Sequence, residues 1–130
     1  MPLRGLSLNN SNIILRKRNH NDDVNSRDNN GMTPLMLAVP KNKESPTNEL
    51  ISNVIRLINE GADLNAQDHL GRTALMMTVM GIPEVIKKNK PIFRILINAG
   101  ADPDIKDKDG WTALNWADNN GLKWWGELVG

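Results

Sequence analysis

The acidic run DPDIKDKDG, Asp102 to Gly110, carries four carboxylates in nine residues and invites comparison with a calcium-binding loop. Asp107, Asp109 and Gly110 reproduce the D-x-D-G piece of such a loop. Setting Gly110 on its invariant glycine, however, puts Ile105 at the first ligand position and Trp116 where a bidentate glutamate is required. The comparison fails on ligand chemistry. The two histidines, His20 and His69, lie in turn-like segments at unrelated places, with no spacing that makes a shared metal site, and read as surface loop histidines. Cysteine is absent, which removes disulfides, thiolate nucleophiles and cysteine-based zinc sites together. No G-x-S-x-G, P-loop or H-E-x-x-H phrase occurs. The residue types therefore point away from catalysis: no enzyme, no catalytic group, no cofactor and no metal are expected.

Composition narrows the classes further. A chain of 130 residues is about one domain by length. Sixteen Lys plus Arg against fifteen Asp plus Glu leave +1, so no global field directs the protein to nucleic acid or to a membrane surface. The start MPLRGLSLNNSNIILRKRNH lacks an apolar run of signal-peptide length, and no later segment approaches the roughly 18 to 20 apolar residues that span a bilayer. The expectation is a soluble, cytoplasmic protein, with export as an effector left open.

What the chain does carry is a repeat. GADLNAQDHLGRTALM, Gly61 to Met76, returns as GADPDIKDKDGWTALN, Gly100 to Asn115, thirty-nine positions later. Three loop glycines, Gly31, Gly71 and Gly110, open the related phrases GMTPLMLAV, GRTALMMTV and GWTALNWAD; ten residues before each stands Asn21, Gly61 or Gly100. The letters have physical reasons. Gly61 and Gly100 follow the apolar runs NVIRLINE and IFRILINA, where a helix end needs positive φ, and Asn21 is the next best residue there. Asp28, Asp68 and Asp107 precede the loop glycines at a fixed distance, with carboxylates placed to accept turn N–H groups. Thr33, Thr73 and Thr112 stand where a hydroxyl caps the next helix, and Pro34 takes the first helical position. Each phrase is helix end, turn, helix start.

These phrases resemble ankyrin repeats, whose signature is a β-turn plus two helices around a T-P-L-H-x-A core. The resemblance runs from about Asn12 to Gly130. It implies an all-α helix-turn-helix solenoid with β-turn, hairpin-like loops between repeats. One domain over 1–130 would divide into an N-terminal partial or capping repeat at 1–30, repeats with insertions at 31–70 and 71–109, and a shortened C-terminal capping repeat at 110–130.

Departures from the family pattern are informative. Gly31 to Gly71 is 40 residues and Gly71 to Gly110 is 39, against a period of about 33. The extra length falls between the two helices of each repeat. In the first insertion Ser45 reads as an N-cap with Pro46 at the first helical position, and Leu50, Ile51, Val54, Ile55 and Ile58 mark one helical face. In the second, GIPEVIKKNKPIF intervenes before Ile92, Phe93, Leu96 and Ile97. Both insertions should emerge on one edge. The family histidine is replaced by Met36, Met76 and Asn115, so the loop hydrogen bond that the resemblance assigns to it is absent or differently made. Lys17 and Arg18 suit a polar N-terminal cap, and Trp124, Trp125, Leu128 and Val129 would close the C-terminal end.

The resemblance implies that recognition sits on the concave face, at the positions that vary while the framework repeats. These are Met32, Arg72 and Trp111 between Gly and Thr, Asn30, Leu70 and Asp109 before Gly, and Leu37, Met77 and Trp116 on the first helix. Met32, Leu37, Leu70, Arg72, Met77, Trp111 and Trp116 are expected to form an exposed apolar band of the residue types enriched at interfaces, although Leu37 and Trp116 could equally pack as core. The expected function is non-enzymatic binding of a protein partner, as adaptor, inhibitor or immunity-type protein, or effector. A second edge is conceivable from Lys41, Lys43, Lys87, Lys88 and Lys90, which would suit an acidic protein surface or phosphates. The alternative function is therefore a nucleic-acid or acidic-surface binder using these Lys-rich inter-helix loops, although no aromatic residue interleaves with the lysines to support stacking on a single strand. A third reading is a structural slice of a longer ankyrin array. A monomer is expected unless the Trp-rich C-terminal end dimerises.

Overall fold

The computed structural model describes residues 24–40 and 46–121. Six helices lie wholly within the described residues: α1 Pro34–Leu37, α2 Asn48–Asn59, α3 Ala74–Thr78, α4 Pro83–Lys88, α5 Lys90–Ala99 and α6 Ala113–Asn119. No strand occurs among the described residues. The short first helices α1, α3 and α6 start alike. Thr33, Thr73 and Thr112 hold extended backbone, and each hydroxyl accepts an N–H three residues on, from Met36, Met76 and Asn115. At α6 the cap is reciprocal, since Asn115 Oδ1 also accepts the Thr112 N–H at 3.0 Å. Asn115 thus serves its own helix start, while Met36 and Met76 at the corresponding positions are wholly buried.

The loops between repeats are short hairpin-like turns built as the sequence predicts. Asp28 Oδ1 accepts the Asn30 and Met32 N–H groups, Asp68 Oδ1 those of Leu70 and Arg72, and Asp107 Oδ1 those of Asp109 and Trp111, all at 2.8–3.0 Å. Gly71 at φ 78° completes the middle turn, and Gly100 at φ 108° ends α5 in the left-handed conformation. Both positions favour a residue without a Cβ.

Two expectations about the insertions change. α2 is capped by Thr47, whose Oγ1 accepts the Leu50 N–H at 3.0 Å, so Pro46 precedes the helix instead of opening it. Its inward face is Val54 and Leu57, flanked by half-buried Leu50 and Ile58, whereas Ile55 is exposed. The second insertion is not a loop. It folds into α4, with Pro83 in its first turn, then passes through Asn89 directly into α5, where Pro91 again occupies the first turn. Proline at a helix start removes an N–H that has no intrahelical partner there. Asn89 is buried at this joint, and its Nδ2 donates to the Pro40 carbonyl at 3.2 Å, tying the base of one insertion to the other.

The core lies between first and second helices of successive repeats. Leu35, Met36 and Val39 meet Leu75, Met76 and Val79, with Ile86, Ile92, Phe93 and Leu96 from the second insertion and α5, and Ala113 and Ala117 from α6. α5 packs against α2, α3 and α4, and α3 against α1, α5 and α6. Asn12, Lys17, Arg18, His20 and Asn21, Ser45, and Trp124, Trp125, Leu128 and Val129 lie outside the described residues.

Candidate functional site

The face made by the turns and first helices is less uniformly apolar than the sequence suggests. Leu37 and Leu70 are open, each 55 % exposed. Met32 and Met77 are not: at 7 % and 6 % exposure they belong to the core, which corrects the expectation of a continuous exposed band. Their side chains turn inward because neighbouring repeats cover both, and thioethers fill such irregular gaps well. Trp111 and Trp116 are half-buried with ring centroids 4.8 Å apart and planes at 53°, a tilted aromatic pair. Trp116 also packs on the core.

Two carboxylates hold this face in shape, each finishing its second oxygen differently. Asp68 Oδ2 accepts from Arg72 Nε at 2.8 Å and pairs with Nη2 at 2.7 Å, a two-point guanidinium clamp. Asp107 Oδ2 instead accepts the Trp116 indole N–H at 2.9 Å. Burial alone would push both carboxyls up. For Asp68 the hydrogen bonds and charge of Arg72 outweigh burial; for Asp107 the Trp111 N–H and the Trp116 indole do so, and both lie below the usual carboxylate range.

The sign of the pH dependence follows. Groups with depressed folded pKa values contribute stability that is complete above the unfolded carboxylate value of about 3.9 and fades as pH falls through the folded values below it. Thermal melts followed by helical circular dichroism should therefore give a midpoint that is level from neutral pH to about pH 5 and falls below about pH 4. Asp68→Asn should flatten part of that fall. A midpoint level down to pH 2 would remove both carboxylates from the stability account.

Beside Arg72 lies a groove of about 390 Å³, lined by Pro40, Arg72, Met77, Met80, Gly81, Ile82 and Val85. Of the residues expected at the site, Arg72 and Met77 are brought together here. Ile82, 46 % exposed at the entry to α4, was missed. The signal was an isoleucine just before a helix-opening proline, in a segment read as loop.

The lysine edge also changes. Lys41 and Lys43 lie outside the described residues, Lys87 is exposed, and Lys88 and Lys90 are half-buried. Lys87 and Lys90 line a second groove, of about 560 Å³, with Pro91, Arg94 and Ile95. Helical spacing from residues 90 and 91 to 94 and 95 places these four on one side of α5, with Lys87 of α4 beside them. His69 is an exposed loop residue whose backbone N–H donates to the Asn30 carbonyl at 3.0 Å. Among the described residues no cluster of three or more His, Cys, Asp or Glu side chains is placed to hold a metal ion, and no helix is long and apolar enough to cross a membrane.

A family model for ankyrin repeats, in three copies, matches residues 45–124. The chain belongs to the ankyrin-repeat family. The match begins after the first hairpin, yet residues 24–37 of this ankyrin protein keep the same register, with Asp28, Gly31 and Thr33 in the places of Asp68, Gly71 and Thr73. Ankyrin repeats are generally protein–protein interaction modules and generally not catalytic. No curated protein matches the chain.

Proposed function

We propose that this ankyrin domain binds a protein partner by accepting an apolar side chain into the groove between Arg72 and the start of α4, with Leu37 and Leu70 as further contacts. The reading treats 31–70 and 71–109 as full repeats between partial ones. The observation that carries it is the groove itself: Met77, Met80, Ile82 and Val85 form its wall, beside an arginine whose guanidinium is already fixed by Asp68. A fixed arginine loses little side-chain entropy when it donates to a partner carbonyl. Exposed Leu37 and Ile82 add apolar area where recognition surfaces concentrate it. The action is steric, as in an adaptor, or in an inhibitor that covers its partner's surface.

The test is paired capture followed by titration. A Leu37→Asp, Ile82→Asp variant should keep its helical spectrum, because both side chains are exposed, and bind a captured partner at least about tenfold more weakly than the wild type. Ile55→Asp, on the exposed face of α2, should bind as the wild type does. Equal binding by all three proteins would retire the groove.

A second reading rests on the groove of Lys87, Lys90 and Arg94, flanked by Pro91 and Ile95. Glu84 is the sole carboxylate from residue 83 to residue 99. An acidic protein surface fits that charge, and its binding would weaken steeply with salt, which separates it from the apolar groove.

A further inference from the structure

The two repeat interfaces within the chain use the same positions in the same order. The Asn30 carbonyl accepts the His69 N–H, and the Leu70 carbonyl accepts the Lys108 N–H, both at 3.0 Å. Asn25 Oδ1 accepts the Asp63 N–H at 2.7 Å, and Asn65 Oδ1 accepts the Asp102 N–H at 2.8 Å. Arg27 Nη1 donates to the Gln67 carbonyl at 2.7 Å, and Gln67 Nε2 to the Lys106 carbonyl at 2.9 Å. In the third repeat the same register falls on the Asp109 carbonyl, the Asp104 carboxylate and the Lys106 ammonium. All three residues are exposed, and no described residue bonds these groups.

The loop glycines report the same asymmetry sterically. Gly31, Gly71 and Gly110 have nearly equal φ values of 79°, 78° and 83°. A Cβ on Gly31 would come within 2.6 Å of His69, and one on Gly71 within 2.9 Å of the Lys108 nitrogen, yet one on Gly110 would meet nothing within 4 Å. The third hairpin therefore carries the donors, acceptors and clearance that the first two use to receive a neighbour, and no described residue occupies its receiving side.

The opposite edge of the stack carries the other half. The groups that the next repeat presents are the N–H of Asp63 or Asp102, the N–H of His69 or Lys108 and the carbonyl of Gln67 or Lys106; in the first repeat the first of these falls on Asp23, outside the described residues, and the other two become the Asn29 N–H and the Arg27 carbonyl. Both residues are exposed, and neither group is bonded among the described residues. A cation in the Lys106 position is already shown to work, since Arg27 bonds the Gln67 carbonyl from there.

We infer that the edge formed by Asp104, Lys106, Asp109 and Gly110 docks the first hairpin of a second copy of this chain, head to tail, continuing the interface already present twice within it. Such a contact joins two different surfaces and does not close on itself, so association proceeds by addition of copies.

Sedimentation velocity of the whole 130-residue chain over rising concentration tests this. The weight-average sedimentation coefficient should climb with concentration. Gly110→Asn should abolish the climb: asparagine tolerates positive φ, its Cβ has no neighbour within 4 Å, and its side chain fills the space the incoming hairpin needs. Asn29→Pro should also abolish it by removing the N–H at the first central position of a turn, where proline is accepted. Each variant should melt within a few degrees of the wild type. Mixed, they leave one intact edge apiece and should form a species of two copies. Lys106→Glu with Asp104→Lys is the second receiving-edge variant, through exposed side chains alone. A wild type monomeric at every concentration overturns the inference. So does association that persists in either variant alone, or a mixture that stays monomeric.

Discussion

Phe93→Ala is expected to lower the unfolding free energy by about 3–5 kcal/mol, the range for emptying a packed aromatic site. Phe93 is the chain's single phenylalanine and is wholly buried on α5, the helix that meets α2, α3 and α4 together. Its removal leaves a void in the core that successive repeats share, where close packing on every side resists collapse. Domains are stable by only about 5–15 kcal/mol in total, so the loss is a large fraction of the whole. Urea titration followed by circular dichroism measures the loss. Ile55→Ala, at an exposed site on α2, should change stability by less than about 0.5 kcal/mol. A loss below about 1.5 kcal/mol for Phe93→Ala would mean that α5 relaxes into the void and that the second insertion is softer than its packing implies.

Asp68→Ala carries the second largest expected effect, about 3 kcal/mol, mainly from leaving two turn N–H groups without an acceptor and, in part, from breaking a half-buried ion pair. The Asp68 carboxylate is almost fully enclosed, binds the Leu70 and Arg72 N–H groups and clamps the Arg72 guanidinium. Asp68→Asn should lose about half as much, since its carbonyl oxygen still accepts the two N–H groups. Asp28→Ala acts in an exposed loop, where water replaces the lost acceptor, and should cost well under the Asp68 value. The three variants compared by urea titration separate the loop role, common to every repeat, from the ion pair, which belongs to the second alone. Equal losses for Asp28→Ala and Asp68→Ala would deny the Arg72 clamp any stabilising share.

The loops were legible because their reasons are local. Positive φ at Gly71, the Thr73 hydroxyl on the Met76 N–H, and Asp68 on its own turn act within four residues of sequence. No partner repeat is needed to decide them. Burial of Met32 and Met77 was misread because the cover comes from neighbouring repeats across the fold. α4 was read as loop because the segment lies outside the repeating phrases, whereas Pro83 stands in the first turn of α4 and Pro91 in that of α5. Thr47 caps α2 through the Leu50 N–H, two positions beyond the serine that the sequence suggested. The groove was illegible for the same reason as the methionines: Pro40, Arg72 and Ile82 converge only once α1, α3 and α4 stand side by side.

The side-chain bonds between hairpins link residues only 36 to 40 apart in sequence, and the Asn120 bond to the Val79 carbonyl spans 41. Each repeat is thus held mainly by the one before and the one after, so the molecule has the grammar of a zipper. Opening at one end severs a single interface and leaves the other standing. α3, wholly buried and flanked on both sides, is the last segment whose amides exchange with solvent and the natural seed from which refolding spreads outward. Because no long loop must close before contacts form, that spreading is quick, and a destabilised end detaches without dissolving the middle.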